Sequence, residues 1–336
     1  MKLHPLFTAT LLSAGVIVAS PTVGTAAAAA PVPASCPTAF TRAVPVSNTA
    51  TLTLALLTAR PGDEIQLAPG TYTGNFVSTV PGTSAAPVII CGDAGAILDG
   101  ATEATGYVLY IRNAPYTDVY GITVTNGSKG VLMDNASHSL LSGITVHAIG
   151  QEGVHLRRFT TDTTVRGSTI YDTGQVASQY GEGIYVGSAN NNWCTYTNCN
   201  PDASDDNSIV NNHIGPGVGA EEVDVKEGTT GGLISGNTFD GTGMDSLGAQ
   251  SWVDVKGNDW TLTGNTGHNT VRHGFTDSLA YAGWGNGNLF TSNVEYVNST
   301  GYGVKVATGV TGVVVTTSNV VIGARSGVSN IPLTNG

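Results

Sequence analysis

The tetrapeptide Val-Asp-Val-Lys occurs twice in the sequence, at 223–226 and at 253–256. An acidic and a basic side chain therefore recur at the same two positions, thirty residues apart. Carboxylates gathered on a rigid surface suit a hard cation such as Ca²⁺, which prefers oxygen ligands. A lysine beside a second cation is expected to lose its proton more readily, which suits a general base. The repeated tetrapeptide thus predicts a site that combines carboxylates with a lysine base.

Residues near the two tetrapeptides, or at equivalent points of the repeats described below, complete the predicted site. The predicted catalytic residues are Lys226, Lys256, Arg157, Tyr185 and His155. The predicted substrate-binding residues are Trp252, His273, Arg272 and Lys305. The predicted ligands of a Ca²⁺ ion are Glu221, Glu222, Asp224 and Asp254. Because the chain has only 13 lysine and arginine residues, their concentration here favours a functional site over a solvated charge ladder.

Composition limits the partners that the protein can have. The chain has 336 residues and a formal net charge of −11, with 11% charged residues. An acidic protein of this kind is a poor ligand for nucleic acid or for an anionic membrane. An anionic polysaccharide is compatible as a substrate if the few cations lie together. We expect the protein to be a monomer.

The first thirty residues have the order of a secretory signal peptide. Lys2 is followed by an apolar stretch at 6–19 and by an alanine run at 26–30. A transmembrane anchor is the alternative, but the apolar stretch is shorter than the ~20 residues that a span requires. We predict that residues 1–30 are removed and that residues 31–336 form one secreted domain.

The four cysteines are even in number, which fits an oxidising compartment. Cys194 and Cys199 lie close enough in the sequence to bridge a local loop. Cys36 and Cys91 would then tie the N-terminal arm to the body. Free thiols or a zinc site are weaker alternatives, because no Cys-x-x-Cys spacing is present.

Short β-rich segments separated by Gly, Asn and Asp recur along the chain. GITV occurs at 121–124 and at 143–146, and a second series includes GVHLR at 153–157, GIYVG at 183–187 and WVDVK at 252–256. Repeats of about 22 to 30 residues, with short strands and no helix, predict an all-β, right-handed parallel β-helix. A β-sandwich is the alternative, but it requires antiparallel hairpins.

The ends of this solenoid are also predicted. The segment 49–60 reads as a helix stopped by a Pro-Gly pair, and it would cover the open N-terminal end of the core. The coils would then occupy 61–310, followed by a C-terminal end at 311–336. The asparagines expected to stack at a left-handed turn of the repeat are Asn212, Asn237, Asn265 and Asn293.

Alternation of side chains along a strand predicts which residues face outward. In each segment of the second series an apolar pair, such as Val223 and Val225, is expected to point into the solenoid. One outward column, from coil to coil, is then His155, Tyr185, Asp224, Asp254 and Lys305. The next outward column is Arg157, Gly187, Lys226, Lys256 and Ala307. Because like charges side by side destabilise a sheet, this pattern favours a binding or catalytic role.

A lysine base, further cations and aromatic side chains on one face suit the β-elimination of a uronate polysaccharide. A metal ion or a cation neutralises the sugar carboxylate and so acidifies the C5 proton. Lysine removes that proton, while a Tyr, His or Arg assists the departing glycosidic oxygen.

Two segments resemble a known family. RPGDEIQLAPGTYTGNF and the residues that follow it, at 60–100, and NSIVNNHIGPGVGAEEVDVKEGTTGGLISGNTF, at 207–239, are similar to the polysaccharide lyases that include chondroitinase B and β-helical alginate lyases. The resemblance implies that Lys226 is the base and Glu221 a Ca²⁺ ligand. The family's second glutamate would fall at Gly219, so a bound Ca²⁺ would use Glu222 or Asp224 instead. The family's arginine falls near Lys256.

Three other functions are compatible with the same residues. A glycoside hydrolase would use Asp224 and Asp254, which adjacent coils could hold at the separation typical of retaining enzymes. A uronate epimerase would share the base and take a second proton donor from Tyr185 or His155. A carbohydrate-binding β-helix without catalytic activity would use the same face for recognition alone.

Overall fold

The computed structural model describes Met1 and residues 36–335, so the predicted signal peptide lies, except for Met1, outside the described residues. Within the described part, 31 strands form three stacked parallel sheets, which together make a right-handed parallel β-helix. Every pairing between these strands is parallel, as the repeats predict. The predicted fold class is therefore confirmed.

Each of the ten described coils from β2 to β31 contributes one strand to sheet A, one to sheet B and one to sheet C, in that order, and β1 adds an eleventh strand to sheet A. Strands are numbered along the chain. Sheet A consists of β1 (Arg42–Val46), β2 (Asp63–Leu67), β5 (Val88–Cys91), β8 (Thr117–Tyr120), β11 (Leu140–Ser142), β14 (Thr164–Arg166), β17 (Ser208–Val210), β20 (Leu233–Ser235), β23 (Thr261–Thr263), β26 (Leu289–Thr291) and β29 (Val314–Val315). Sheet B consists of β3 (Gly70–Thr73), β6 (Ala96–Asp99), β9 (Thr123–Gly127), β12 (Thr145–Ile149), β15 (Thr169–Ile170), β18 (His213–Ile214), β21 (Thr238–Asp240), β24 (Thr266–His268), β27 (Val294–Tyr296) and β30 (Val320–Ile322). Sheet C consists of β4 (Phe76–Ser78), β7 (Tyr107–Arg112), β10 (Lys129–Asp134), β13 (Val154–Arg157), β16 (Ile184–Val186), β19 (Val223–Val225), β22 (Ser251–Val255), β25 (His273–Asp277), β28 (Tyr302–Val306) and β31 (Gly327–Ser329).

The N-terminal end of the solenoid is covered by helix α1 (Thr49–Thr58). Asn48 and Thr51 form a capping box at its first turn, in which each side chain accepts a hydrogen bond from the other's backbone N–H. The buried residues of α1, Leu52 and Leu56 among them, belong to the solenoid core. Residues 36–335 contain, besides α1, a short helix α2 (Trp193–Tyr196) and two 3₁₀ turns, Ser178–Tyr180 and Asn190–Asn192.

Inward-facing aliphatic side chains form one continuous core along the solenoid. The predicted inward pair of β19, Val223 and Val225, is fully buried, and so is the pair of β22, Val253 and Val255. Complete burial of a side chain of this size stabilises the fold by about 1.5–3 kcal/mol. Because each coil stacks its pair directly on the next, the core holds the outward residues of sheet C in fixed register.

An asparagine ladder runs along the turn between sheets A and B. Asn237 Oδ1 accepts hydrogen bonds from the backbone N–H and the side-chain amide of Asn212, at 2.9 and 3.0 Å. The same two bonds repeat from Asn237 to Asn265 and onwards along the stack. The stacking prediction is confirmed, but the left-handed residue precedes each asparagine. Those left-handed residues are Asn211, Gly236, Gly264 and Ser292.

Two predicted site residues lie inside the solenoid, because the strand alternation breaks at the bend into sheet C. The residue before the first inward position of successive sheet C strands is Gly130, Gly153, Gly183, Glu222, Trp252, Gly274 and Gly303. A Cβ at Gly183 would lie 2.7 Å from Ile214 Cγ2 of sheet B, so a side chain at this position points inward. Trp252 fits there because Gly267 leaves space for its indole ring.

The prediction that Trp252 binds substrate is therefore wrong. Its ring is fully buried, packs against Phe275 at 5.9 Å and donates from Nε1 to the carbonyl oxygen of His268. The prediction that Glu222 binds a metal ion on the outer face is wrong for the same reason, since its carboxyl group is fully buried behind the bend. Burial raises the pKa of Glu222 well above its ordinary value.

Both predicted disulfides are present. Cys36 is bonded to Cys91 on sheet A, and Cys194 to Cys199 within the loop that follows β16. The described part of the chain has no free cysteine. Among its helices, none has the length and apolar character that a membrane crossing requires.

Candidate active site

A cleft of about 560 Å³ lies on the outer face of sheet C. Its floor is built by five successive coils, from β10 to β22, because the lining residues come from each of them. The loop that carries the Cys194–Cys199 disulfide forms one wall, and the 3₁₀ turn Ser178–Tyr180 lies on another side. The predicted residues that line it are His155, Arg157, Tyr185, Glu221, Asp224, Lys226, Asp254 and Lys256.

Asp224 is the centre of the charged cluster. It lies opposite Tyr185 on one side and Asp254 on the other in the parallel register of sheet C. Asp224 Oδ2 is 2.5 Å from Lys226 Nζ, and Asp224 Oδ1 is 2.5 Å from Lys256 Nζ. Lys256 Nζ also contacts Asp254 Oδ2 at 2.8 Å. The predicted juxtaposition of the two tetrapeptides is thus present in the structure.

The charges of this cluster stabilise one another. Burial alone would raise the pKa of Asp224, but the ammonium groups of Lys226 and Lys256 outweigh it and hold that pKa below its ordinary value. Burial would lower the pKa of Lys256, yet Asp224, Asp254 and Glu221 together raise it well above the ordinary value. The expectation that a neighbouring lysine makes Lys256 easier to deprotonate is therefore wrong, because carboxylates lie closer than the second cation.

Two further carboxyl groups lie beside Asp224. Burial, with the negative charge of Asp224, raises the pKa of Glu182 to about 8, and the same two causes raise that of Glu221 to about 8. Ligand oxygens of Glu182, Glu221 and Asp224 lie within 4.8 Å of one another. Oε2 of Glu182 is buried and has no hydrogen-bond partner in the described residues. This trio of oxygens suits a hard divalent cation such as Ca²⁺.

Tyr185 and His155 lie side by side on the cleft floor. Their rings meet edge to face with centroids 4.3 Å apart, and Lys226 Nζ is 4.8 Å from the centroid of the Tyr185 ring. Burial and the charge of Asp224 raise the pKa of Tyr185 well above its ordinary value, so its hydroxyl stays protonated. His155 donates from Nε2 to the carbonyl oxygen of Gly187 at 2.9 Å, and burial lowers its pKa.

Arg157 is held by groups other than the Asp224 cluster. Its Nε donates to Asp134 Oδ1 at 2.7 Å, and its guanidinium stacks over the ring of Tyr196 at 4.2 Å. Lys129, at the end of the cleft, forms a salt bridge with Glu152. These contacts leave Arg157 positioned along the floor of the cleft, two coils away from Lys226.

Three other predicted substrate-binding residues lie outside the cleft. His273 accepts a hydrogen bond at Nδ1 from the backbone of Tyr302, and Arg272 contacts Gln250 at 3.2 Å. Lys305 stands in the predicted outward column, but it is not adjacent to Asp254. The coil of β25 intervenes and places Thr276 between them. The spacing error arose because HGFTD at 273–277 does not resemble the other members of the series.

Sequence reasoning predicted Glu221 but missed Glu152 and Glu182, which stand in the same column on the cleft floor. Glu152, Glu182 and Glu221 follow one another from coil to coil, as shown by the bonds from Gly153 N to Glu182 O and from Gly183 N to Glu221 O. The signal was present in the sequence as EGVHL, EGIYV and EEVDV. Other cleft residues that were not predicted are Lys129, Gln151, Gln179, Tyr180, Asn191, Asn192 and Tyr196.

Comparisons with known proteins give a clear relative. No protein-family model matches the sequence, and no curated protein matches it. An alginate lyase from Paenibacillus sp. str. FPU-7 is 35% identical, with a TM-score of 0.81, and the match covers 88% of this chain and 99% of that enzyme. Pectate lyase Pel9A is 17% identical, with a TM-score of 0.62 over 88% of this chain and 82% of its own.

A lacto-N-biosidase of family GH136 from Eubacterium ramulus is also similar, at 11% identity and a TM-score of 0.54, over 88% of this chain and 67% of its own. This likeness and that to the pectate lyase concern the fold alone. The Paenibacillus enzyme shares more than a third of its residues with this chain over nearly its whole length. The chain therefore belongs to the β-helical polysaccharide lyases of the pectate-lyase-like superfamily.

Proposed function

We propose that this protein is a secreted enzyme that cleaves alginate, or a closely related polyuronate, by β-elimination with Lys226 as the base. The observation that supports it most strongly is the cluster of Lys226, Asp224 and Lys256 beside Tyr185 on the cleft floor. It supplies a base, a protonated acid and a fixed positive charge within one site. The 35% identity to an alginate lyase favours alginate among the polyuronates.

We assign the base to Lys226 rather than to Lys256 on the number of carboxylates that each ammonium group contacts. Its ammonium group contacts one carboxylate, Asp224, whereas that of Lys256 contacts both Asp224 and Asp254. When Lys226 is neutral, Lys256 still balances the charge of Asp224. In the proposed reaction, Lys226 Nζ takes the C5 proton of the sugar.

Tyr185 is proposed as the acid that assists the leaving group. Its hydroxyl remains protonated because burial and Asp224 raise its pKa. As the C4–O4 bond breaks, the electrons of the C5–H bond form the C4–C5 double bond, and Tyr185 gives its proton to O4. Exchange with water then restores the protonated tyrosine and the neutral lysine.

The carboxylate of the sugar must be neutralised before C5 becomes acidic. Glu182, Glu221 and Asp224 would hold a Ca²⁺ ion for this purpose, since their oxygens are close together and one of them is buried without a partner. Such an ion, when bound, would supply positive charge to the sugar carboxylate. Asp254 is not one of the three residues whose carboxylate oxygens lie within 4.8 Å of one another.

The hydrolase alternative is weaker than the lyase. A retaining hydrolase requires one carboxyl group that is protonated and one that is free to attack the sugar. Asp224 contacts two ammonium groups, which keep its pKa low, and Asp254 is paired with Lys256. Asp224 is therefore not the protonated group, and lysines engage both aspartates, so neither is free to attack the sugar. Secretion is proposed from the N-terminal sequence pattern and from two disulfides, which form in oxidising compartments.

The experiment incubates the purified protein with alginate, pectate, chondroitin and hyaluronan, with and without a chelator. The ultraviolet absorbance of the C4–C5 double bond reports elimination. We expect this absorbance to rise when the wild type acts on alginate and to be lost in Lys226→Ala. The control variant Arg325→Ala, which removes an exposed cation between β30 and β31, should behave as wild type. Release of reducing sugar without this absorbance would instead favour hydrolysis.

A further inference from the structure

We propose that Lys305 forms a distal subsite that binds the carboxylate of a uronate residue away from the scissile bond, so that the polysaccharide lies parallel to the solenoid axis along sheet C. This inference rests on the proposed function, because it takes the substrate to be a polyanion. It concerns a residue outside the cleft, three coils beyond Asp224.

The long axis of the cleft predicts the direction in which a bound polymer lies. Its lining passes from Lys129 on β10 through Tyr185 and Asp224 to Lys256 after β22. Neighbouring coils are about 4.8 Å apart, so this row spans roughly 19 Å along the axis. A polymer that follows the cleft beyond Asp254 next meets Thr276 and then Lys305, since these three residues are paired across β22, β25 and β28.

The charge of Lys305 is available, unlike that of the cations within the cleft. Lys129, Arg157, Lys226 and Lys256 each contact a carboxylate of the protein. Lys305 is in none of the salt bridges that the described part of the chain forms. On a protein of net charge −11, an unpaired cation in line with the catalytic residues is a specific attraction for an anionic polymer.

The surroundings of Lys305 favour a sugar ligand. Its ammonium group lies 5.5 Å from the centroid of the Tyr302 ring, which is partly exposed beside it. An aromatic ring next to a cation offers a pyranose both an apolar face and a partner for its carboxylate.

The proposed subsite at Lys305 lies far from the proposed catalytic residues. Three coil spacings place Lys305 roughly 14 Å from the row of Asp224. The Debye length at physiological ionic strength is about 8 Å, so the charge of Lys305 is screened from the reacting carboxylate. Substitution of Lys305 should therefore change the binding of long chains and leave the rate of the chemical step unchanged.

The test compares Lys305→Glu with Arg325→Glu, which makes the same charge change at an exposed position off this face. Initial rates are measured on the long polymer and on the shortest oligosaccharide that the wild type cleaves. Binding of the polymer is measured separately by affinity electrophoresis in the Lys226→Ala background, where no turnover occurs. We expect Lys305→Glu to raise KM for the polymer about tenfold, with kcat unchanged and the short substrate unaffected.

Polymer binding in the Lys226→Ala background should weaken by a similar factor and depend less on salt. The proposal is overturned if Lys305→Glu behaves as Arg325→Glu does, or if it impairs short and long substrates equally. Failure of the proposed function is distinguishable, because it would show as wild-type protein that gives no double-bond absorbance on any polyuronate. The electrophoresis would still report whether Lys305 binds the polymer in that event.

Discussion

Glu295 is a carboxylic acid in the hydrophobic interior, and its ionisation should make the stability of the protein depend on pH. Its side chain points inward from β27 and is fully buried, above Gly274 and Gly303, which leave room for it. Neither carboxyl oxygen has a hydrogen-bond partner in the described residues. Burial raises the pKa of Glu295 from 4.5 to about 8.

The direction in which stability changes with pH follows from which state, folded or unfolded, holds the proton of Glu295. Between pH 4.5 and about 8 the unfolded chain has lost this proton while the folded protein retains it. Stability contributed by protonated Glu295 is therefore complete below pH 4.5 and is lost as the pH rises to about 8. At about 1.4 kcal/mol for each pH unit, this interval corresponds to a loss of roughly 5 kcal/mol.

The assay compares wild type with Glu295→Gln by urea unfolding at a pH near 5 and at a pH above 8. Glutamine has the shape of the protonated acid and does not titrate. Other buried acids affect both proteins equally and cancel in the difference. We expect the variant to gain about 3–5 kcal/mol relative to wild type between the two pH values. A difference that is constant with pH, or that moves in the opposite direction, would refute the reasoning.

Three further predictions concern the cleft and its support. Tyr185→Phe removes the proposed acid, so kcat on alginate should fall about 10²–10⁴-fold with little change in KM; an unchanged kcat would remove Tyr185 from the mechanism. Lys256→Met leaves Asp254 without its lysine partner and Asp224 with only one, so the free energy of unfolding in urea should fall by about 3 kcal/mol. An unaltered urea midpoint would contradict a stabilising role for this buried cluster. Asn237→Ala removes the bonds to Ile209 O and from Asn212, and should cost about 2–3 kcal/mol, whereas a loss below about 0.5 kcal/mol would mean that water replaces the ladder.

The fold could be predicted from the sequence because the repeats carry their own register. Once GIYVG, EVDVK and WVDVK are aligned, the inward valines and the outward Asp224 and Asp254 follow from the alternation of a strand. The asparagine ladder was predicted from the same repeats. The N-terminal helix was predicted from its own segment and from the Pro-Gly pair that ends it.

The errors occur where the alternation or the spacing changes. Trp252 and Glu222 occupy a bend position that is glycine in the coils of β10, β13, β16, β25 and β28, and only the shape of the bend shows that a side chain there points inward. A column of glycines in the sequence was the available signal. Lys305 was assigned to the wrong neighbour because one coil, that of β25, lacks the apolar pattern of the rest.

The electrostatics of the site could not be predicted from residue types alone. Two lysines in register suggest mutual repulsion, and the structure instead places Asp224 between them and Asp254 beside Lys256. The sign of the pKa shift of Lys256 depends on these distances of 2.5–2.8 Å, which a sequence does not contain. Glu182 was missed because its place beside Glu221 and Asp224 becomes visible only when the segments EGVHL, EGIYV and EEVDV are stacked coil on coil.

The proposed role of Lys226 is tested most directly by one measurement, the initial rate of double-bond absorbance from alginate for wild type and Lys226→Ala at equal concentrations of folded protein. We expect a steady rise for the wild type and, for the variant, a rate lower by about 10³-fold or more with an unchanged melting temperature. Elimination that proceeds at a comparable rate without the Lys226 side chain would contradict the assignment of the base.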